Sequence, residues 1–143
     1  MSTRIADEHL DAWRGVLNAH ARLTARIEDA LAAAGLPQLA WYDVLWALQS
    51  APGKALRMGE LADAVTISRS GLTRLVDRIE AEGLLERRAA AGDRRAVEVA
   101  ITPAGTKLLR RMWPVYEGVL RSEFEAKLSA QDAQALKRAF AKL

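Results

Sequence analysis

The stretch MGELADAVTISRSGLTRLVDRIEAEGLLERRAAAGDRRAVEVAI, residues 58–101, decides the fold, because its hydrophobic period changes midway. Gly59–Ala64 predicts a brief helix and Val65-Thr66-Ile67 a turn. Ser68 predicts an N-cap, since its hydroxyl can accept a hydrogen bond from an otherwise orphaned backbone N–H. The helix it opens runs to about Ala81 and is ended by Gly83. Leu72, Leu75, Val76 and Ile79 recur at three- and four-residue spacing and are predicted to face inward. That leaves Arg69, Ser70, Thr73, Arg74, Asp77 and Arg78 outward. The period then falls to two. Leu84–Arg88 and Ala96–Ile101 predict strands, the second with the alternation Val97, Val99, Ile101. Ala89–Arg95 between them predicts a hairpin tip carrying two adjacent arginines, and this hairpin is the one β signal read in the chain.

Outside this stretch the pattern is helical. Alanine and leucine supply 28 and 20 of the 143 residues, and both favour helix. Leu10, Trp13, Leu17, His20, Leu23, Ile27 and Leu31 form one apolar stripe, predicting a first helix over Asp7–Ala34 stopped by Gly35 and Pro37. Leu39–Ser50 predicts a second helix with apolar side chains on more than one face, hence a buried one, ended by Ala51-Pro52-Gly53. Thr102 caps a long helix with Pro103 at its first position, running to about Lys127 with a kink at Pro114. Ser129 and Asp132 have the spacing of a capping box for a terminal helix.

Composition excludes several function classes. With no cysteine there is no disulfide, thiolate nucleophile, iron–sulfur cluster or thiol redox sensor. His9 and His20 lie roughly 16 Å apart along a helix and cannot chelate one ion, so no metal and no cofactor is expected. No phosphate loop, serine elbow or paired metal histidines occur, so the chain is not expected to be an enzyme. The start lacks a signal-peptide core and no apolar run is long enough to span a membrane, which places the protein in the cytoplasm as an expectation.

Charge is placed unevenly. Residues 1–53 hold 4 Arg and 6 acids (net −2), and residues 54–111 hold 12 basic and 8 acidic residues (net +4). A helix–turn–helix followed by a hairpin with a basic tip suits double-stranded DNA. Ser68, Arg69, Ser70, Thr73 and Arg74 offer short hydroxyls and long cations to a major groove. Arg94 and Arg95 on the wing can reach the neighbouring minor groove. Asp93 beside them is expected to orient a guanidinium through a charge-assisted hydrogen bond.

The pair of signatures LTRLVDRIEAEGLLERR (72–88) and Asp93-x-Arg95, followed by a strand and Ile101-Thr102-Pro103-Ala104-Gly105, resembles the MarR (multiple antibiotic resistance regulator) family of bacterial transcription factors. The resemblance extends over essentially the whole chain. It implies a mainly α fold, with a winged helix–turn–helix over 39–101 and a small β-hairpin wing. That module would be embedded in dimerisation helices over 1–36 and 103–143 of a single 1–143 subunit. It also implies a homodimer on a pseudo-palindromic operator, acting as a repressor. Its DNA contacts would fall on Ser68, Arg69, Ser70, Thr73 and Arg74, with the wing arginine on Arg95, its supporting acid on Asp93 and Arg94 as an added cation. Gly59 departs from the family's usual Ser or Thr, removing one hydroxyl from that helix start.

A small aromatic or phenolic effector is the family's usual ligand, and the matching region here holds Trp13, His20, Trp41, Tyr42 and Trp46. Tryptophan at helical spacing equally serves a core, and His20 on the apolar stripe equally serves as a satisfied core histidine. The alternative function is a helical protein- or ligand-binding module that keeps the winged scaffold without binding DNA.

Overall fold

A computed structural model describes residues 4–143. It contains, in order, α1 (Asp7–Ala33), α2 (Leu39–Ser50), β1 (Ala55–Arg57), α3 (Met58–Ala64), α4 (Arg69–Ala81), β2 (Leu85–Ala90), β3 (Asp93–Ile101), α5 (Pro103–Leu120) and α6 (Ala130–Phe140). The chain divides into two compact units. One is Gly35–Pro114; the other combines the chain up to Ala34 with Val115–Leu143.

In the Gly35–Pro114 unit, the core is built where three local periods converge. Val44, Leu45 and Leu48 of α2, Leu61 of α3, and Leu72, Leu75, Val76 and Ile79 of α4 are all buried, with Leu85, Val99 and Met112. The inward face expected for α4 is the one observed. Burying a Leu, Val or Ile side chain contributes about 1.5–3 kcal/mol, so this cluster fixes α4 against the sheet. The expectation of a wholly buried α2 needs correction. Trp46 is 54% exposed, because the residues at 44, 45 and 48 already fill the inward face.

The sheet corrects the sequence reading twice. It has three strands in the order β1-β3-β2, not two. β1 pairs antiparallel with β3, Ala55 facing Ala100 and Arg57 facing Glu98; three residues show no period and left no signal. The hairpin is also longer than predicted, and its tip shrinks from Ala89–Arg95 to a tight turn over Ala91-Gly92. Gly92 at φ +80 supplies the left-handed residue such a turn requires.

The EGLL…ITPAG signature locks the wing base to α5. Thr102 Oγ1 donates to the Gly83 carbonyl at 2.7 Å and accepts from the Gly105 N–H at 3.2 Å, capping α5. A Cβ on Gly105 would lie 2.1 Å from the Leu84 carbonyl oxygen. Only glycine permits that approach.

The other unit pairs α1 with the C-terminal elements. Ile27 and Leu31 of α1 are buried, whereas Trp13, Val16 and Leu17 toward its start are exposed. His20 is exposed too, correcting its expected place on a buried apolar stripe. The α-type hydrogen bonding of α5 ends at Leu120, while the helix itself continues to Glu125, close to the expected end near Lys127. Its last turn is wider, and the Ala126 N–H donates to the Arg121 carbonyl five residues back at 2.9 Å. Glu123 within that turn pairs with Lys127 at 2.5 Å and Arg26 of α1 at 3.4 Å. Its carboxyl is held below its ordinary range by the Lys127 hydrogen bond first, with both cations' charges adding. α6 begins on the expected capping box: the Asp132 N–H donates to Ser129 Oγ at 3.1 Å, and the Ser129 N–H donates to Asp132 Oδ2 at 2.9 Å.

Candidate nucleic-acid interface

The start of α4 is built by its cap. Ser68 Oγ accepts from the Gly71 N–H at 3.2 Å, and a Cβ on Gly71 would stand 2.9 Å from that oxygen. Gly71 therefore makes room for the cap. Ser68, Arg69, Ser70, Thr73 and Arg74 are all exposed. Thr73 Oγ1 donates back to the Arg69 carbonyl at 3.1 Å, which turns its proton into the helix and leaves its oxygen and methyl outward. This helix end thus presents two cations and Ser70 without local hydrogen-bond competition among the described contacts.

Ala89 pairs with Val97 and Ala90 with Asp93, so Arg94, Arg95 and Ala96 bulge out of the ladder opposite one short step of β2. Bulges re-aim side chains and release them from strand alternation. Asp93 has a role different from the one expected. Its Oδ1 accepts from the backbone N–H of Arg95 at 3.0 Å, satisfying a donor that the bulge removes from the sheet. It shapes the loop that carries the arginines and makes no guanidinium contact among the described interactions.

Arg87 was missed by the sequence reading and fixes the wing to α4. Its Nη1 donates to Glu80 Oε1 and its Nη2 to Asp77 Oδ1, each at 2.6 Å, while its backbone N–H donates to Glu80 Oε2 at 2.8 Å. Burial works against the Arg87 charge, but the hydrogen bonds to Asp77 and Glu80 outweigh it, and its pKa is raised. The available signal was strand parity: Arg87 shares a face with buried Leu85, opposite acids three residues apart on α4. Arg88 is held likewise, its Nε donating to Glu98 Oε1 on β3 at 2.8 Å.

The arginines of the α4 start and the wing therefore fall into two sets. Arg87 and Arg88 are neutralised in place. Arg69, Arg74, Arg94 and Arg95 are exposed and form no ion pair among the described residues.

The five aromatic-site candidates are divided between the units. Trp41, Tyr42 and Trp46 lie in Gly35–Pro114, with Tyr42 stacked on Trp46 at 6.3 Å and on Trp113 at 6.2 Å between ring centroids. Trp13 and His20 lie in the other unit and are both exposed. Trp113 completes a three-ring stack that the sequence spacing did not reveal.

A capped helix after a tight turn, followed by a strand–turn–strand wing, defines a winged helix–turn–helix protein. Residues 34–96 match the MarR family model. Transcriptional repressor MprA of Escherichia coli is 31% identical over 96 residues, covering 67% of this chain and 54% of the relative. The chain spans about half the length of the curated relatives it matches. A MarR family transcriptional regulator from Streptomyces coelicolor, solved in complex with DNA, superposes with a TM-score of 0.87 at 26% identity, covering 99% of this chain and 88% of that one. BpsR of Bordetella bronchiseptica, whose DNA binding is described as regulated by 6-hydroxynicotinic acid, superposes with a TM-score of 0.78 at 26% identity, covering 96% and 91%. The chain belongs to the MarR family. Among the described residues, no helix is long and apolar enough to cross a membrane.

Proposed function

We propose that this protein is a sequence-specific DNA-binding transcriptional regulator, acting in the cytoplasm as a homodimeric repressor on a pseudo-palindromic operator. The observation that carries the reading is the division of arginines. The cations that hold the scaffold are paired with acids, and those on the α4 start and wing bulge are not. Unpaired exposed guanidiniums lose little on meeting phosphate, and Arg forks match phosphate oxygens. Ser68, Arg69, Ser70, Thr73 and Arg74 would face the major groove, with Arg94 and Arg95 reaching beyond it and Asp93 supporting them.

The exposed apolar side chains of the terminal unit support a second copy as partner, since Trp13 and Leu17 are 56% and 50% exposed on one stripe. Two recognition helices would then enter successive major grooves about one turn, roughly 10 bp, apart. The resemblance to a repressor supports the sign of regulation. The half-exposed indoles beside Tyr42 support relief by a small aromatic or phenolic ligand, as does the BpsR likeness.

Binding of purified protein to the DNA upstream of its own gene, in competition with unrelated DNA, tests the reading. The expected result is a complex that survives excess competitor and is released by a phenolic acid. A protein that binds neither DNA at low salt, while its tryptophan emission still responds to a ligand, would be a binding module on a winged scaffold.

A further inference from the structure

The outward face of α2 forms one wall of a groove within the Gly35–Pro114 unit. Asp43, Trp46, Ala47 and Ser50 recur at the three- and four-residue spacing of a single helix face, and all four line it. The opposite wall is mostly apolar, with Pro52, Leu56 of β1 and Val65 in the turn between α3 and α4. The groove holds about 490 Å³, within the roughly 300–1,000 Å³ of small-ligand sites.

Trp46 is 54% exposed. Tyr42, one turn earlier and outside the groove, stacks on it at an interplanar angle of 11° and covers one face of the indole. Ser50, Ala51 and Pro52 lie one turn later and in the lining, so the uncovered face of the indole is the one that fronts the groove. An open aromatic face beside apolar walls is a ready partner for a ligand. Its charge selects which. Among the described residues of the lining the one ionisable side chain is the half-buried Asp43, with no Lys, Arg or His. The chain as a whole holds 21 Lys and Arg against 18 Asp and Glu, so this groove is a locally negative site on a basic protein. The negative face of the indole adds to the Asp43 charge.

We propose that this groove binds a small organic cation with an apolar body, such as an aryl-substituted quaternary ammonium. The cationic head rests on the open face of Trp46, Asp43 supplies the countercharge, and Pro52, Leu56 and Val65 pack the apolar body. Of the five aromatic-site candidates only Trp46 lines this groove, so its walls and its ligand charge differ from those of a phenolic site. Thr66, also in the lining, lies two residues before the Ser68 cap, which places the bound cation beside the turn that leads into α4.

Calorimetric titration of the whole protein without DNA, at low salt, tests the proposal with benzyltrimethylammonium as the probe. The cation should bind, and benzyl alcohol should displace it only at about tenfold or higher excess, because the neutral analogue gains nothing from Asp43 or the ring quadrupole. Asp43→Asn should weaken the cation about tenfold or more. Ser50→Lys, at an exposed position, should do the same by setting a like charge at the rim. Trp46→Leu keeps an apolar side chain and removes the ring, and should also weaken the cation about tenfold or more. No heat at millimolar cation, displacement by an equal concentration of benzyl alcohol, full affinity in Trp46→Leu, or full affinity in both charge variants would overturn it. Since no DNA is present, these outcomes leave the operator reading to stand or fall separately.

Discussion

Replacing Arg87 by Met separates holding the wing from touching DNA. The substitution keeps the length and apolar stem and removes both guanidinium bonds, leaving only the backbone N–H on Glu80. A hydrogen bond to a charged group contributes about 1.5–3 kcal/mol when shielded. Here Asp77 is 60% exposed, so that half of the fork belongs with surface ion pairs at about 0–1 kcal/mol. Glu80 is half-buried and Arg87 is 29% exposed, so the second half is larger, and the total is about 2 kcal/mol. For a domain of this size that corresponds to a melting decrease of about 4–8 °C. Arg87→Lys should fall between the two proteins, because an ammonium cannot span both acids in the planar fork. Operator affinity should drop as the wing loosens, yet the slope of log K against log salt should stay as in the parent, since Arg87 meets carboxylates and not phosphate. Unchanged melting in Arg87→Met would refute the clamp. A salt slope reduced by one or more per subunit would show that Arg87 contacts the backbone itself.

Three further outcomes follow from local geometry. Gly105→Ala should destabilise by more than about 2 kcal/mol in denaturant titration, because its Cβ meets the Leu84 carbonyl at 2.1 Å; Gly118→Ala, with nothing within 4 Å, should instead add about 0.5–1 kcal/mol. Ser68→Ala should cost about 1 kcal/mol through the lost α4 cap, and amide exchange at Gly71 should speed up more than at Ile79. Acid should fray the start of α6 through Asp132, whose carboxyl is lowered first by the Ser129 backbone N–H and then by its hydroxyl. A folded pKa below the unfolded one means the cap's contribution is full above the ordinary carboxylate range and is lost as pH falls through the lowered value. Exchange protection at residues 130–133 should therefore drop below about pH 4 in the parent, and show no such step in Asp132→Asn.

How much of this was legible depends on whether a feature has a period. α2 was predicted at its observed bounds and α1 to within a residue, because an apolar stripe meets a Gly–Pro stop. The inward face of α4 was legible for the same reason. β1 was not, since three residues paired to a distant strand leave no repeat. The wing tip was placed correctly but drawn too wide. Gly92 marked the turn, whereas the bulge that frees Arg94 and Arg95 depends on the register with β2. Asp93 and Arg95 are in contact as expected, but the bond runs to a backbone N–H and not to the guanidinium, a distinction that residue types alone do not carry. Arg87 was hidden by its own neighbourhood: in Glu86-Arg87-Arg88 nothing but strand parity tells which arginine turns inward. Trp113 joined the aromatic stack through tertiary packing across more than 60 residues.

The central claim is that Arg69, Arg74, Arg94 and Arg95, unpaired on the α4 start and the wing bulge, meet DNA phosphate and groove while Arg87 and Arg88 hold the wing in place. The salt dependence of operator binding, measured for the parent, Arg95→Ala, Arg74→Ala and Arg88→Ala, tests it most directly. Each phosphate contact contributes about −0.9 to the slope, and a homodimer loses two contacts per substitution, so the first two variants should flatten it by about 2 where the arginine meets phosphate. Arg88→Ala, whose guanidinium is already held by Glu98, should leave the slope unchanged. Equal slopes in all four proteins, or a flattening confined to Arg88→Ala, would contradict the account.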